Sequence, residues 1–350
     1  MVNDLKELRI GIIGAGANTR LMHLPGFQAI EGVSVDVICN RSEESSRKVA
    51  DDFGVSRIET NWHQVIADPT LDAVMIGTWP YLHAEATVAA LEAGKHVLTE
   101  ARMARDKQEA ERMLVASRAH GDCVTQIVPA PMSLDFDATV MDLLATGRLG
   151  RLREICVTHT GGQFARSDAP MSWRQDRELS GCNMLTLGIF YEIIRRWLGR
   201  DPTSIVATGS VATPERTWPD TGESVRVRIP ESVTCLGTYE DGARLVGHFS
   251  GLESGQGRSE IRLNGSEASL RVDFSRGELY LAAAGETDET AVAILEGTRR
   301  GWRVEADFVH SIRTGNPVRL TSFEDGIRYM MVTEAIAQSV ESGGTVQPVS

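Results

Sequence analysis

Residues 9–19 read Arg9-Ile10-Gly11-Ile12-Ile13-Gly14-Ala15-Gly16-Ala17-Asn18-Thr19, a short apolar run that breaks into glycines and then turns polar. A run this short and unalternated reads as a buried parallel strand. Glycines at its end permit a tight turn and let backbone come close to a pyrophosphate. The helix that follows offers free N–H groups and a favourable dipole to that anion. Gly14, Gly16, Ala17 and Asn18 are therefore the candidate phosphate-binding residues. The third glycine of the fingerprint is replaced by Thr19, which predicts looser helix–strand packing.

A glycine pair carries weight only inside a repeating βα pattern. Here apolar runs at 33–39, 73–77, 96–99 and 123–128 alternate with helical stretches at 42–53, 81–93 and 106–120. Ser42 is placed as an N-cap, and Gly94 and Gly121 as helix stops. The expectation is an α/β Rossmann domain with a parallel, doubly wound sheet over residues 1–128. At the tip of its second strand the chain reads Cys39-Asn40-Arg41-Ser42. A carboxylate there would hold a ribose 2′-OH and repel a 2′-phosphate; neutral Asn40 followed by Arg41 and Ser42 favours NADP over NAD. The alternative is that Asn40 binds the 2′-OH itself while Arg41 lies over the adenine.

After residue 128 the rhythm changes. Helical segments near 137–146 and 184–198 are interleaved with β-branched runs at 152–160, 204–211, 233–239 and 244–250, and Asp241-Gly242 and Asn264-Gly265 are hairpin signals. Residues 129–350 thus read as an α+β domain with a large, mostly antiparallel sheet. Terminal helices at 303–312 and 323–341 are expected to pack back toward the first domain.

The chain has 350 residues, 42% hydrophobic and 24% charged, with net charge −12. That size suits two domains. The acidic balance argues against nucleic acid, whose binders carry a basic stripe, and against anionic membranes. Residues 1–9 are polar and charged, so no signal peptide is expected, and no apolar run approaches a membrane span. Five scattered cysteines without CxxC spacing fit neither a disulfide framework nor a zinc site. A cytoplasmic protein without a metal site is the expectation.

Further along, Thr78-Trp79-Pro80-Tyr81-Leu82-His83-Ala84 resembles the TPNxxHA loop of the Gfo/Idh/MocA family (glucose–fructose oxidoreductase, inositol dehydrogenase, rhizopine catabolism). Leu91 to Leu98 resembles its LEAGKHVL segment, Gly147-Arg148-Leu149-Gly150 its GxIG, and Trp173-Arg174-Gln175-Asp176 with Ser180-Gly181 its WRxD…SGG. The resemblance runs nearly end to end. It implies a sugar or cyclitol substrate bound between two domains, with homo-oligomers, dimer or tetramer, formed through the second sheet. It adds Thr78, Trp79, His83, Glu100 and Arg174 to the cofactor set.

The pattern breaks where protons are handled. The family's Glu-Lys-Pro is Glu100-Ala101-Arg102 here, and its helix Asp and His are Thr186 and Phe190. Alcohol oxidation needs a base for the hydroxyl proton. Tyr191, Glu192, Arg102 and His159 are the candidates for catalytic roles. Each has a plainer reading: Glu192 is spaced for pairs with Arg195 and Arg196, Tyr191 is a half-buried aromatic, His159 is paired in the sheet, and Arg102 is a phosphate or cap contact. Three functions follow: an NAD(P)-dependent oxidoreductase on a CH–OH or C=O group of a sugar, cyclitol or derivative; a redox-neutral glycosidase, lyase or epimerase that oxidises transiently on a retained cofactor; and a non-catalytic NAD(P)-binding sensor.

Overall fold

A computed structural model gives residues 7–349; residues 1–6, most of the polar opening, lie outside it. The chain folds as two compact units, one running to Pro129 and taking in Arg303–Ile327, the other made of Ala130–Trp302 and the residues from Arg328 onward.

In the first unit, β1 (Leu8–Ile13), β2 (Val33–Cys39), β3 (Arg57–Glu59), β4 (Ala73–Ile76), β5 (His96–Thr99) and β6 (Thr125–Ile127) alternate with α1 (Leu24–Gln28), α2 (Glu43–Phe53), α3 (Trp62–Ala67), α4 (Pro80–Glu92) and α5 (Lys107–Ala119). The strands pair in parallel in the order β3-β2-β1-β4-β5-β6. Strand order reverses between β1 and β4, so the crevice beyond their C-terminal ends is where an open α/β sheet takes its ligand. Ile10, Ile12, Val74, Met75, Ile76, Val97 and Leu98 are all fully buried, which explains runs without alternation. Ser42 caps α2 by accepting from Ser45 N at 3.2 Å, and Asp106 caps α5 by accepting from Glu109 N at 2.8 Å. The buried Lys95 gives its motif a folding reason: its Nζ donates to Asp68 O (2.7 Å) and Leu71 O (2.8 Å), holding the turn before β4. Strand β3 and helix α3 were not expected; at three and six residues they are too short to show periodicity.

The second unit begins with α6 (Asp137–Ala145), β7 (Leu152–Thr160), α7 (Arg177–Ser180) and α8 (Leu187–Leu198). It continues through β8 (Ser204–Ser210), β9 (Glu215–Thr217), β10 (Ser224–Arg226), β11 (Ser232–Thr238), β12 (Arg244–Ser250), β13 (Ser259–Gly265), β14 (Ala268–Asp273), β15 (Glu278–Ala283) and β16 (Thr290–Val292). Then come α9 (Val304–Thr314), which belongs to the first unit, α10 (Phe323–Glu341) and β17 (Gln347–Pro348). The large sheet runs β16-β15-β14-β13-β7-β12-β11-β8-β17, antiparallel except for the parallel β7–β12 pair, and β9 and β10 form a separate ribbon. Burial alternates along the strands, with Ile155, Val157, Leu245, Phe249, Ile261 and Leu263 on the inner row. Leu187, Tyr191 and Ile194 of α8 meet that row, lining with Val157, Cys235 and Leu245 an apolar cavity of about 10 Å³.

Asp241-Gly242 turns between β11 and β12, with Gly242 at φ +85°. Asn264-Gly265 is instead the end of β13, and the turn falls on Ser266-Glu267. A Cβ at Gly265 would lie 1.9 Å from Leu149 O, so this glycine serves a close backbone approach rather than a turn.

Candidate functional site

Gly14 closes the turn after β1 at φ +88°, and its N donates to Cys39 O at 2.8 Å. A Cβ there would meet Thr78 Cγ2 at 2.6 Å and Thr78 N at 2.7 Å, so both shape and backbone demand glycine. Gly16 differs. A Cβ on it would come no nearer than 3.8 Å to any atom, Gly77 O. The chain's own packing therefore leaves room at Gly16, and Gly16, Ala17 and Asn18 are exposed. That open cradle at a strand–helix junction fits the pyrophosphate of a dinucleotide.

Thr19 does not loosen the junction. It is buried, its Oγ1 donates to Gly14 O at 3.1 Å, and it fits because Gly77 opposite carries no side chain; a Cβ on Gly77 would stand 2.2 Å from Thr19 Oγ1. From Thr19 to His23 the backbone winds as a π-helix before α1.

Asn40, assigned to the cofactor from sequence, has both ends of its amide occupied by protein. Its Oδ1 accepts from Ala15 N at 2.7 Å and its Nδ2 donates to Ser45 O at 3.1 Å. It positions the glycine loop, with one amide hydrogen and one lone pair remaining. Arg41 is exposed, its guanidinium 4.8 Å from the Trp79 ring centroid, a cation–π distance. Ser42 Oγ is engaged with Ser45 at the α2 cap.

Thr78 and Trp79 lead into α4, half-buried, with Pro80 at its first turn. His83 lies one turn on but is fully buried, so its ring cannot touch a ligand as the sequence reading had it. Its nitrogens face Arg102 O (2.9 Å) and Thr78 O (3.0 Å). Burial pushes its pKa down against these carbonyls, so the neutral ring donates to one of them. His83 thus ties the Thr78 loop to the segment after β5. Arg102 is itself buried, with 3% of its surface exposed.

Glu100 ends β5. Its Oε1 accepts from Asn18 Nδ2 at 2.5 Å and faces His23 Nε2 at 3.1 Å, while Oε2 accepts from Ala101 N at 3.2 Å. His23, with no exposed surface, faces Glu305 Oε1 of α9 through Nδ1 at 2.5 Å. Nothing in the sequence marked His23 or Glu305, which stand 282 residues apart.

In the second unit the structure corrects two expectations. Tyr191 is buried and donates to Asp201 Oδ1 at 2.8 Å; burial raises its pKa well above the ordinary value. Asp201 also accepts from Arg328 Nε at 2.8 Å. A phenol so placed is a packing group, not a base. Glu192 is 4% exposed; Ala130 N donates to its Oε2 at 3.0 Å and Arg196 Nη2 to its Oε1 at 2.6 Å. Arg196 also reaches Asp137 Oδ2 at 2.6 Å, so Glu192 clamps α8 to α6. The expected pair with Arg196 exists, but inside the protein.

Phe190 is fully buried among Phe249, Phe274 and His159, ring centroids 6.0, 5.6 and 4.8 Å away. His159 is half-buried on β7, its Nδ1 3.2 Å from Ser259 Oγ across the strand pair. Burial lowers its pKa, leaving it neutral at pH 7. Arg174 is exposed in the second unit, its guanidinium 4.3 Å over Trp173. No helix of the described residues is long and apolar enough to cross a membrane.

Residues 8–127 match the family described as "Oxidoreductase family, NAD-binding Rossmann fold", and residues 138–271 match the "GFO/IDH/MocA C-terminal domain". The chain is 24% identical to levoglucosan dehydrogenase of Pseudarthrobacter phenanthrenivorans, over 96% of each sequence. It is 23% identical to myo-inositol 2-dehydrogenase of Thermotoga maritima, over 97% of this chain and 98% of the relative. Its fold matches that of levoglucosan dehydrogenase solved with NADH and levoglucosan at a TM-score of 0.85, with 23% identity over 98% of this chain and 99% of the other.

Proposed function

This chain belongs to the Gfo/Idh/MocA family of oxidoreductases, and from that premise we propose that it oxidises a CH–OH group of a sugar, cyclitol or sugar derivative, or reduces the matching carbonyl, with NADP preferred over NAD. The supporting observation is the cradle at Gly16, which the chain leaves open beside a Gly14 it cannot replace. Gly14, Gly16, Ala17 and Asn18 would hold the pyrophosphate, Thr78, Trp79 and Glu100 the nicotinamide half, with Arg174 a further contact from the second unit. The bound nucleotide supplies the hydride acceptor.

The coenzyme preference rests on the β2 tip. Asn40 spends one amide hydrogen and one lone pair on the protein, no carboxylate stands there to repel a 2′-phosphate, and exposed Arg41 offers it a positive charge. Glu43 and Glu44 in the first turn of α2 oppose that attraction. The discrimination expected is therefore modest, about tenfold in Kd, or about 1.4 kcal/mol.

For the hydroxyl proton we propose His159. The ring is neutral at pH 7, and donation from Nδ1 to Ser259 Oγ leaves the Nε2 lone pair as acceptor. Arg102, with 3% of its surface exposed, is not placed to touch a substrate, and no catalytic role is proposed for it. Oligomers through the nine-stranded sheet and a cytoplasmic location complete the reading.

The test is turnover of NADP and NAD with levoglucosan, myo-inositol and related polyols, followed by reduced-nicotinamide absorbance. A protein that binds nicotinamide nucleotides but reduces none with any polyol, nor oxidises them with any ketose, refutes the oxidoreductase reading. Because Ala101, Thr186 and Phe190 stand where the family keeps proton-handling groups, a redox-neutral reaction is the second reading. It requires product without lasting absorbance change. His159→Asn is expected to lower kcat by about 10²–10⁴-fold with cofactor affinity unchanged; a wild-type rate removes His159 from the mechanism.

A further inference from the structure

The buried chain Asn18–Glu100–His23–Glu305 has a feature that the binding of a dinucleotide does not by itself require. Both ring nitrogens of His23 face carboxylate oxygens, Nε2 toward Glu100 at 3.1 Å and Nδ1 toward Glu305 at 2.5 Å. An ionised carboxylate only accepts, so beside two ionised glutamates both nitrogens donate, and only the imidazolium has two N–H groups. The ring has no exposed surface, and Glu305 is 3% exposed. Glu305 cannot move aside easily, since a Cβ on Gly26 of α1 would touch its carboxylate at 2.6 Å, and Phe27 packs edge-on against Phe308 at 6.5 Å.

The same oxygen of Glu100 that faces His23 accepts from Asn18, an exposed residue of the nucleotide loop. The Asn18 amide is also 3.4 Å from His23 Nε2. The loop is thus anchored to a carboxylate whose own position depends on a charged ring. We propose that His23 is a positioning residue for the dinucleotide, and that the loop is competent to bind only while His23 is protonated and held by Glu305. This rests on reading residues 14–18 as the nucleotide loop.

The consequence is a proton switch. If His23 loses a proton, Nδ1 keeps its N–H on Glu305 and the Nε2 lone pair then opposes Glu100. Glu100 then loses its counter-charge and turns from the ring, and Asn18, which donates to the same oxygen, is carried with it. The ionisable groups that meet the ring are Glu100 after β5 and Glu305 of α9, with His83 of α4 acting on Glu100. Burial, the largest influence, pushes the His23 pKa down, but the hydrogen bonds and charges of the two glutamates prevail and lift it to about 9.

The experiment is a fluorescence titration of the whole protein with NADP and with NAD from pH 6.5 to 10, with circular dichroism at each pH. The ligands lose no proton in that window beyond a 2′-phosphate step near ~6. One required proton at the His23 position predicts that Kd rises about tenfold by pH 10, with its midpoint near the His23 pKa, for both coenzymes. Glu305→Gln removes one carboxylate, so its midpoint should move down by about one pH unit or more. That variant also brings the transition into a range where loss of fold is not an issue. A flat profile in the folded wild type, or a Glu305→Gln midpoint that does not move, overturns the proposal and leaves the cofactor reading standing. Absence of nucleotide binding at pH 6.5 overturns both.

Discussion

The two units use buried charge in opposite ways. In the second, Arg216 and Glu231 are wholly enclosed. Arg216 donates to Glu231 at 2.8 Å and to the carbonyls of Phe164, Arg166 and Ala169, each at 2.9 Å. Glu231 in turn accepts from Gln175, Ala212 N and Thr213 N at 2.7, 2.9 and 3.1 Å. Each of these bonds ends within the fold. In the first unit the chain from Glu305 through His23 and Glu100 ends on exposed Asn18, beside a glycine with open space. A closed network fixes a loop; a network that runs out to an open cradle is available to a ligand. The polar groups of α8 follow the closed pattern, which is why Tyr191 and Glu192 fail as proton carriers.

The contrast can be broken by variants, beginning with the largest. Glu231→Ala leaves Arg216 charged, buried and unpaired, so a loss of about 3–5 kcal/mol is expected in denaturant unfolding. A change below about 1 kcal/mol would mean that water reaches the pair and the network is not closed. Gly16→Asp should do the reverse: unfolding midpoint within error of wild type, since nothing crowds its Cβ, but nucleotide affinity down by at least about 100-fold from a carboxylate against the pyrophosphate. Unchanged affinity would show that the cradle is not the phosphate site. Arg41→Ala sharpens the coenzyme reading: NADP affinity should fall about tenfold and NAD affinity hardly at all. Equal losses would mean that Arg41 serves the adenine instead. The smallest effect belongs to Tyr191→Phe, which removes one hydrogen bond to Asp201 and should cost about 1 kcal/mol of stability with turnover unchanged. A loss of turnover without loss of stability would return Tyr191 to the catalytic set.

Phe190 and His159 show how burial sorts two neighbouring rings. At a fully buried position walled by Phe249 and Phe274, an aromatic side chain gains from burial what an imidazole would lose in desolvation. His159, half-buried beside it, keeps one nitrogen on Ser259. Sequence alone named His159, Tyr191, Glu192 and Arg102 as candidates but had no means of telling the enclosed ones from the half-buried His159. All four are polar residues, and only burial and partners distinguish them.

The order of strands and helices was legible along residues 8–127, because a parallel sheet buried on both faces writes itself as apolar runs between capped helices. The glycine loop was legible for the same kind of reason: backbone geometry at Gly14 tolerates one residue only. Short elements such as β3 and α3 left no periodic trace. What the tertiary structure alone decided are the contacts between residues far apart in the chain. Thr19 fits because Gly77 yields space, Asn40 holds Ala15, and Glu305 reaches His23 across 282 residues. Sequence fixes which groups a chain carries and how each segment folds; whether a given carboxylate or imidazole is free to do chemistry depends on what the fold sets beside it, and that partner is rarely a neighbour in sequence.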